Sequence, residues 1–315
     1  NSFLTTAGVG ANYDLYRWHE PSFTWLNHKV PASFLHTDFL PGTGYLFAAK
    51  DPKTYNYSGV MQADNFTFTG LTNTDNTIQS RWNLMGNPYP SSRQVDHGEI
   101  TYWKGGDHIS TTPSYYDESN GSYKPYTAGS IIPPLTAFFV QNTSQVTSDL
   151  TINKAARRHT ADVSSKTETA YIILSASPVN GDSRQFSYIR VAPDVAEGFD
   201  TRYHLNFRSG EAPKFYSLLE GAALMVNAIS DPYQTQSILF GFEANDEGPD
   251  YVIALEDYPA GVDLFLEDRM QGMVHRLAAN DAYTFVSSSH DMTERFVLHL
   301  NEEPVNTGDF NQTHS

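Results

Sequence analysis

VDLFLEDRMQGMVHRL, which spans residues 262–277, decides the fold class of this chain. Apolar side chains at Val262, Leu264 and Leu266 alternate with their neighbours, which is the two-residue period of a β-strand. After a turn that ends at Gly272, the chain returns with a second short apolar segment. The stretch therefore predicts a β-hairpin.

The same pattern recurs through the chain in short apolar segments bounded by Gly, Pro, Asn or Asp. Residues 66–69, Phe-Thr-Phe-Thr, put two rings on one face of a strand and two hydroxyls on the other. Residues 296–300 alternate in the same way and predict a closing strand. Strands at intervals of about 8 to 12 residues predict an all-β protein of two consecutive antiparallel β-sandwich domains, of jelly-roll or immunoglobulin-like type.

One stretch, residues 215–222, places its apolar residues at helical spacing. Gly221 argues against a helix, because glycine in a helix interior costs roughly 1 kcal/mol. We therefore predict two strands around a turn at Glu220 and Gly221.

A change of composition marks the predicted domain boundary. The segment after Asn153 is polar, lacks a strand period and contains the adjacent Arg157 and Arg158. We expect an exposed linker there, which trypsin cuts first. The predicted first domain, linker, second domain and tail are residues 1–154, 155–166, 167–303 and 304–315.

The net charge of −16 is concentrated in the second half of the chain. Residues 1–155 hold 12 acidic and 9 basic side chains, and residues 156–315 hold 24 and 11. Such an acidic surface repels phosphate backbones, so the sequence predicts no nucleic-acid partner. The chain has no cysteine, which excludes disulfides and thiolate metal sites.

No run of about 18 apolar residues occurs, so the sequence predicts no membrane-spanning segment. The chain opens on Asn1 instead of a methionine, and the lack of a visible signal peptide therefore carries no weight. The density of Asn, Ser, Thr, Tyr and Gly favours an exported protein.

WNLMGNPYPSS, residues 82–92, predicts a strand followed by a rigid corner. We expect Gly86 to take a positive φ, and the two prolines to stop sheet pairing and hold the chain extended. Any cis peptide bond is expected at an X-Pro position such as Tyr89-Pro90, with trans favoured at each one. The residues assigned to this structural corner are Gly86, Asn87, Pro88, Tyr89 and Pro90.

The GNPYPS corner after a Trp-x-Leu strand resembles a motif of large cell-surface proteins from Bacteroidetes-type bacteria, which leave the cell by type IX secretion. Similar stretches in the first half are residues 13–18, 25–29, 42–48 and 132–140. Stretches of the second half that resemble the β-domain preceding the carboxy-terminal sorting domain of such proteins are residues 197–200, 240–242, 266–268, 283–285 and 295–296. The resemblance implies a secreted, surface-displayed stalk, spacer or adhesion unit, and it implies no reaction.

The sequence lacks the nucleophile elbow, phosphate-binding loop and dinucleotide-binding motifs of common enzymes. His19-Glu20 is followed at once by Pro21, which blocks the helix that a zinc-protease motif needs. The acidic pairs at 256–257 and 267–268 sit beside turn signals, and we interpret them as solvated carboxylates. We therefore expect no enzymatic activity.

Oxygen ligands for calcium could come from residues 117–121 or 245–250, although neither stretch has the spacing of an EF-hand loop. The histidines are scattered and favour surface or strand-edge positions. We expect no cofactor, calcium remains possible, and the sequence assigns no metal ligand.

Five rings stand out in a stretch rich in Gly, Ser and Asp: Trp103, Tyr115, Tyr116, Tyr123 and Tyr126. Flat aromatic faces stack on sugars or on other proteins, and polar neighbours supply hydrogen bonds. These residues are the candidate ligand-binding site. The alternative is that the rings pack into the sandwich or brace the loop.

The leading hypothesis is a non-catalytic cell-surface adhesion or scaffold module of a larger secreted bacterial protein. Its partner would be a cell-surface or host glycan or protein. The first alternative is a carbohydrate-binding module. A glycan-acting hydrolase is the third possibility, and it needs two carboxylates, or a carboxylate and a histidine, that converge in one cleft.

Overall fold

The computed structural model describes residues 12–30, 39–52, 54, 58–75, 81–95, 103–104, 108–127, 129–158, 170–245, 250–279 and 281–304. Within these ranges the chain forms 24 strands and two short 3-10 helices. The neighbouring strands pair antiparallel with one exception among the described pairs. The predicted all-β, antiparallel fold class is therefore confirmed.

The chain divides into two compact units. Unit 1 comprises residues 1–115 and 126–166, and unit 2 comprises residues 116–125 and 167–315. A short segment from inside the sequence of unit 1 thus belongs to unit 2, which the composition did not predict.

Strands β1 to β13 are Tyr13–His19, Thr24–Asn27, Leu46–Ala49, Phe66–Leu71, Trp82–Gly86, Ser92–Gln94, Trp103–Lys104, Ser114–Asp117, Ser122–Pro125, Ile131–Ile132, Ala137–Gln141, Ser148–Ile152 and Arg157–Arg158. The 3-10 helices η1, Glu20–Ser22, and η2, Lys154–Ala156, follow β1 and β12. These strands form four small sheets with the orders β2-β1-β3, β4-β12-β7, β5-β11-β8-β9 and β10-β6-β13.

The core of unit 1 forms where the two-residue period of its strands turns apolar side chains to one face. Phe68, Met85, Phe138 and Leu150, from β4, β5, β11 and β12, are all buried in one cluster. Each such side chain contributes about 1.5 to 3 kcal/mol when it leaves water.

Strands β14 to β24 are Tyr171–Pro178, Gln185–Val191, Leu205–Asn206, Lys214–Leu219, Ala222–Ile229, Gln236–Glu243, Asp250–Asp257, Leu264–Asp268, Met273–Leu277, Ala282–Val286 and Phe296–Leu300. They form one sheet of eleven strands in the order β22-β21-β24-β19-β17-β18-β15-β14-β20-β23, with β16 beside β18. The pair β15–β18 is the parallel exception.

The sheet of unit 2 curls until its two ends approach each other. The ring of His275 on β22 lies 5.7 Å from the ring of Tyr283 on β23. Phe215, Phe240 and Phe296 from three different strands are fully buried in one cluster inside the curl. In cross-section, a sheet that closes in this way around one core has two layers, as a β-sandwich does.

Both local turn predictions in unit 2 are confirmed. Strand β21 pairs with β22 as the hairpin of residues 262–277 requires. Strands β17 and β18 meet at Glu220 and Gly221, whose φ angles are 51° and 80°. Two consecutive positive φ values are the signature of a type I′ hairpin turn, whose twist matches that of the strands.

The start of the predicted linker is part of the fold of unit 1. Asn153 caps η2 by accepting a hydrogen bond from the Ala155 amide, and Ala156 is fully buried. Arg157 and Arg158 pair with β6. The composition did not predict this short strand, because a polar strand at a sheet edge lacks the apolar alternation that identifies a strand. Residues 159–166 of the predicted linker, and residues 305–315 of the predicted tail, lie outside the described part of the chain.

One pair of predicted solvated carboxylates requires a correction. Asp268 is fully buried and forms an ion pair with the fully buried Arg295. Its neighbour Glu267 is partly exposed, and Glu256 and Asp257 are exposed as predicted. The turn signal after Asp268 is real, but the side chain points into the core.

The prediction of a positive φ at Gly86 is wrong. Gly86 is not among the glycines with positive φ, and its amide donates to the Gly42 carbonyl at 2.8 Å. A Cβ at this position would lie 2.8 Å from the Thr43 carbonyl oxygen. Glycine is needed here because another stretch of backbone passes directly against it.

The rest of the corner is held by side-chain hydrogen bonds. The Asn87 Nδ2 donates to the carbonyls of Ser91, Ile132 and Pro133 at 3.0, 3.2 and 2.9 Å. Its Oδ1 accepts from the Tyr89 amide at 3.1 Å. Strand β5 ends at Gly86, before Pro88 and Pro90, and the described residues contain no cis peptide bond.

Tyr89 anchors the corner to the last strand of the core of unit 1. Its hydroxyl donates to the Ile152 carbonyl at 3.0 Å, and its side chain is buried. The Arg157 guanidinium lies 5.7 Å above its ring. Burial raises the pKa of Tyr89 despite the nearby cations, so the hydroxyl keeps its proton.

Candidate functional site

A cleft of about 540 Å³ opens in unit 1 beside the corner. Its volume lies within the range of small-ligand sites. It forms where the end of β1, the stretch at residues 40–43, β4 and β5 come together. Its lining residues are Arg17, Trp18, His19, Glu20, Pro21, Leu40, Pro41, Gly42, Thr43, Phe66, Thr67, Phe68, Thr69, Gly70, Leu71, Thr72, Asn83, Leu84 and Met85.

The close backbone contact at Gly86 helps to shape this cleft. Thr43 forms an isolated antiparallel bridge with Met85, so the stretch at 40–43 lies against β5. A Cβ at Gly44 would lie 2.8 Å from the Met85 carbonyl oxygen. Two glycines, Gly44 and Gly86, therefore allow a third backbone segment to form one wall.

Glu20 is the buried charged group of the cleft. Glu20 is the first residue of η1 and is only 4% exposed. Oε1 accepts from the amides of Thr74 and Arg81 at 2.9 and 3.1 Å. Oε2 accepts from the Thr74 hydroxyl at 2.7 Å.

These hydrogen bonds set the protonation state of Glu20. Burial alone would raise the pKa, but the hydrogen bonds from Thr72, Thr74 and Arg81 together outweigh it and hold the pKa below its ordinary value. A carboxylate fixed in this way stays ionised at neutral pH. It cannot serve as a general acid, which needs a raised pKa.

Rings form the apolar part of the cleft. Phe66 and Phe68 contact edge to face at 4.9 Å, and Phe68 is buried. Trp18 donates from Nε1 to the Trp82 carbonyl at 2.7 Å and packs edge to face on Trp25 at 5.5 Å. Trp18 and Phe66 are partly exposed, so their positions are fixed while part of each ring faces solvent.

Polar groups line the same cleft. Thr43 and Thr72 are partly exposed, as are Arg17 and His19 on β1. The His19 Nδ1 lies 2.7 Å from the Ser22 hydroxyl. The combination of fixed rings with hydroxyl and cationic donors suits a ligand that has both flat apolar faces and many hydroxyls.

The structure divides the five rings proposed as the ligand site. The ring centres of Tyr115 and Tyr126 lie 4.6 Å apart with their planes tilted by 40°, and Tyr126 packs against the core of unit 1. Tyr116 and Tyr123 pair at 5.0 Å in unit 2. Tyr115 and Tyr116 are consecutive in β8, so they point to opposite faces.

Ligand binding by these rings therefore stays a prediction, and it now concerns two separate pairs, Tyr115 with Tyr126 and Tyr116 with Tyr123. Tyr123 is buried, and burial raises the pKa of Tyr126 to about 12, as expected for rings that brace structure. Trp103 lies on β7, opposite Ile152, and its side chain is outside the described part of the chain.

In the possible calcium-binding stretch at 117–121, the carboxylate oxygens of Asp117 are occupied by hydrogen-bond donors of the chain itself. Asp117 accepts hydrogen bonds from the Ser119 amide and from Asn120, and it pairs with Lys124 at 2.8 Å. Burial would raise its pKa, but these donors outweigh it and lower the pKa of Asp117.

The other possible calcium stretch is described only at its ends. Asn245 accepts from the Tyr251 hydroxyl at 3.1 Å, and residues 246–249 lie outside the described part. Among the described residues no three His, Asp or Glu side chains are grouped as metal ligands. Calcium binding stays a prediction without an assigned site.

A Ser-His-Glu chain in unit 2 has the composition of a catalytic triad. The His299 Nδ1 lies 2.8 Å from the Ser237 hydroxyl, and its Nε2 lies 2.8 Å from Glu267 Oε2. The three residues stand on β19, β24 and β21, with Ser237 directly opposite His299.

This Ser-His-Glu chain lies on neighbouring strands in the middle of the sheet, where the ladder uses the backbone N–H groups. Those groups are not available to stabilise an oxyanion, which acyl transfer requires. The arrangement is better explained as a cross-strand hydrogen-bond ladder.

Sequence reasoning missed the cleft because its residues come from four separate parts of unit 1. Glu20 entered only as part of an interrupted zinc motif, and residues 66–69 only as a strand. The usable signal was the pair of rings, Phe66 and Phe68, on one face of a single predicted strand.

Residues 6–300 match the family model described as "Domain of unknown function (DUF8693)". Comparisons with curated proteins and with solved structures give no match. In the described part of the chain, no helix has the length and apolar character needed to cross a membrane.

Proposed function

Because the chain belongs to the DUF8693 family, a domain of unknown function, we propose its function from the cleft: a non-catalytic adhesion or scaffold module that binds glycan in unit 1. The module would be displayed on a bacterial cell surface as part of a larger secreted protein. Its partner would be a cell-surface or host glycan.

The observation that carries the proposal is the meeting of three kinds of group in one cleft. Trp18 and Phe66 contribute partly exposed rings to its lining, Thr43 and Thr72 contribute hydroxyls, and Arg17 contributes a cation. Sugars present apolar C–H faces and a rim of hydroxyls, and such a site can meet both.

The absence of catalysis in the proposal rests on Glu20. A glycosidase needs a pair of carboxyl groups, one of which keeps its proton at working pH. Glu20 is held ionised by backbone and hydroxyl donors. It therefore cannot be the acid of such a pair, and the described lining residues supply no second carboxyl group, so Glu20 fixes the wall of the cleft and leaves binding to the neighbouring groups.

Export and surface display rest on the resemblance of the GNPYPS corner to type IX secreted proteins. The acidic surface and the many hydroxyl and amide side chains are compatible with that location. The multiple copies of a surface protein would raise the effective concentration of a weak glycan site.

The test is a screen of the full chain on a broad glycan panel, followed by titration of each positive sugar. In the variant Leu40→Trp, at an exposed position of the cleft lining, the larger side chain would narrow the cleft, and we expect at least a tenfold loss of affinity. The matched control is Thr147→Trp, at an exposed position outside the cleft lining, which should bind as the original chain does.

The outcomes separate the two candidate sites. Binding that survives Leu40→Trp but is lost in Tyr115→Ala or Tyr116→Ala would move the site to one of the ring pairs. No binding to any sugar at millimolar concentration would refute the glycan proposal and favour a protein partner.

A further inference from the structure

Residues 116–125 form a β-hairpin that belongs to unit 2, although unit 1 surrounds it in sequence. The hairpin comprises the end of β8, a turn and β9. Gly121 closes the turn with a φ of 64°. The chain therefore passes from one unit to the other three times, after Tyr115, Pro125 and Lys166.

Backbone hydrogen bonds hold the tip of the hairpin within unit 2. The Gly121 carbonyl accepts from the amides of Glu211 and Ala212 at 2.7 and 3.0 Å. The Asn120 carbonyl accepts from the Arg184 amide at 2.8 Å. The turn thus completes the hydrogen bonding of two separate loops of unit 2.

The fit at the tip is close enough to require glycine. A Cβ at Gly210 would lie 2.3 Å from the Gly121 carbonyl oxygen, a distance that no real Cβ tolerates. Because the obstructing atom is backbone, a side chain at Gly210 has to displace the hairpin or the loop.

Charged side chains add a second layer of contact. The Lys124 Nζ lies 4.1 Å above the ring of Phe186, and the Arg208 guanidinium lies 4.5 Å from the centre of the Tyr123 ring. Such a cation–π contact is weak where it is exposed to water and stronger where it is shielded from water. Tyr123 is buried, so its contact belongs to the second case.

We propose that unit 2 contains a binding site for a β-hairpin, formed around Arg184, Phe186, Arg208 and Gly210, with residues 116–125 as its occupant. The site holds the pieces of the chain together after the covalent connection between residues 159 and 166 is cut. This inference is independent of glycan binding.

The experiment uses the full chain with a protease recognition sequence inserted after His159. After cleavage, size-exclusion chromatography and native mass spectrometry measure whether the two pieces stay together on dilution. We expect one peak with the mass of the whole chain. Separation of the pieces under native conditions would overturn the proposal.

Two variants test whether the hairpin is responsible. In Gly210→Val and in Arg208→Gln we expect the pieces to dissociate at a concentration at least tenfold higher than in the unsubstituted cut chain. The control is Gly59→Val, because a Cβ at Gly59 would meet no atom within 4 Å. If Gly210→Val does not fold, Arg208→Gln decides. Pieces that stay together equally well in all three variants would show that another surface holds them, and would refute the hairpin site.

Discussion

Asp268 and Arg295 form a two-point ion pair in the core of unit 2. The Arg295 Nε donates to Oδ1 at 2.9 Å and its Nη2 to Oδ2 at 2.7 Å, and both side chains are fully buried. The guanidinium lies 4.7 and 5.1 Å from the ring centres of Phe285 and Phe296. This pair joins β21 to the start of β24.

Replacing one partner of this pair should destabilise unit 2 strongly. In Asp268→Asn the buried Arg295 loses its two-point counter-ion and keeps only the longer 3.5 Å contact with Asp291, and the free energy of unfolding should fall by about 3 to 5 kcal/mol. Urea unfolding measures the change. The control Asp263→Asn breaks the exposed pair with Arg276 and should have a small effect. Equal effects of the two substitutions would contradict the structural role of the buried pair.

Glu20 should make the stability of unit 1 depend on pH. The pKa of Glu20 is lower in the folded state than its ordinary value, so its contribution is complete above the unfolded pKa and is lost as the pH falls through the folded pKa. At pH values below about 4.5, we expect unit 1 to unfold at a lower urea concentration than at neutral pH.

The variant Glu20→Gln identifies the group responsible. It should be less stable at pH 7, because an amide NH2 replaces one of the two oxygens that accept from Thr74 and Arg81, and its loss of stability in acid should be smaller. A variant with the same acid dependence as the original chain would exclude Glu20 as the cause.

The close backbone contact at Gly86 predicts an unusual ranking of substitutions. Gly86→Ala should lower the free energy of unfolding of unit 1 by about 1 to 3 kcal/mol, because its Cβ meets the Thr43 carbonyl oxygen. Gly86→Asn should be no better. If a positive φ were the reason for glycine, Asn would be tolerated better than Ala.

The exposed Gly59 supplies the control for this comparison, because no atom lies within 4 Å of its Cβ position. Gly59→Ala should leave the thermal midpoint of unit 1 nearly unchanged. A Gly86→Ala midpoint that matched it would mean that the backbone segments at 42–44 and 84–86 can separate at little cost.

Asn87→Asp should destabilise the corner in a way that depends on pH. The substitution places an oxygen against three carbonyl groups, and at neutral pH it should cost about 3 kcal/mol. Burial beside carbonyls raises the pKa of a carboxyl group, so the variant should regain stability towards pH 4 and lose it as the pH rises.

Asn65→Asp provides the matched control. The Oδ1 of Asn65 accepts from the Lys154 amide at an exposed position, and a carboxylate can do the same. Denaturant unfolding at pH 4 and pH 7 should show little change for this control. A similar pH response in both variants would argue against the role assigned to Asn87.

Features encoded within a few residues could be predicted from the sequence. The hairpin at 262–277 and the turn at Glu220 and Gly221 follow from strand period and turn chemistry, which depend only on neighbouring residues. The rigid corner followed from its prolines for the same reason.

Features that depend on distant contacts could not be predicted. The need for glycine at position 86 comes from Thr43, and the burial of Asp268 comes from Arg295. The cleft gathers residues from four parts of unit 1, and no local pattern indicates which strands will meet.

The hairpin at 116–125 also bears on how this protein can change in evolution. If recombination moved only the sequence after residue 166 into a foreign gene, the product would contain residues 167–315 of unit 2. It would lack the hairpin at 116–125, which contacts Gly210 and Arg208. Exchange of either unit as a separate cassette would therefore leave unit 2 incomplete. We therefore expect the two units to be inherited, duplicated and lost together, as one module.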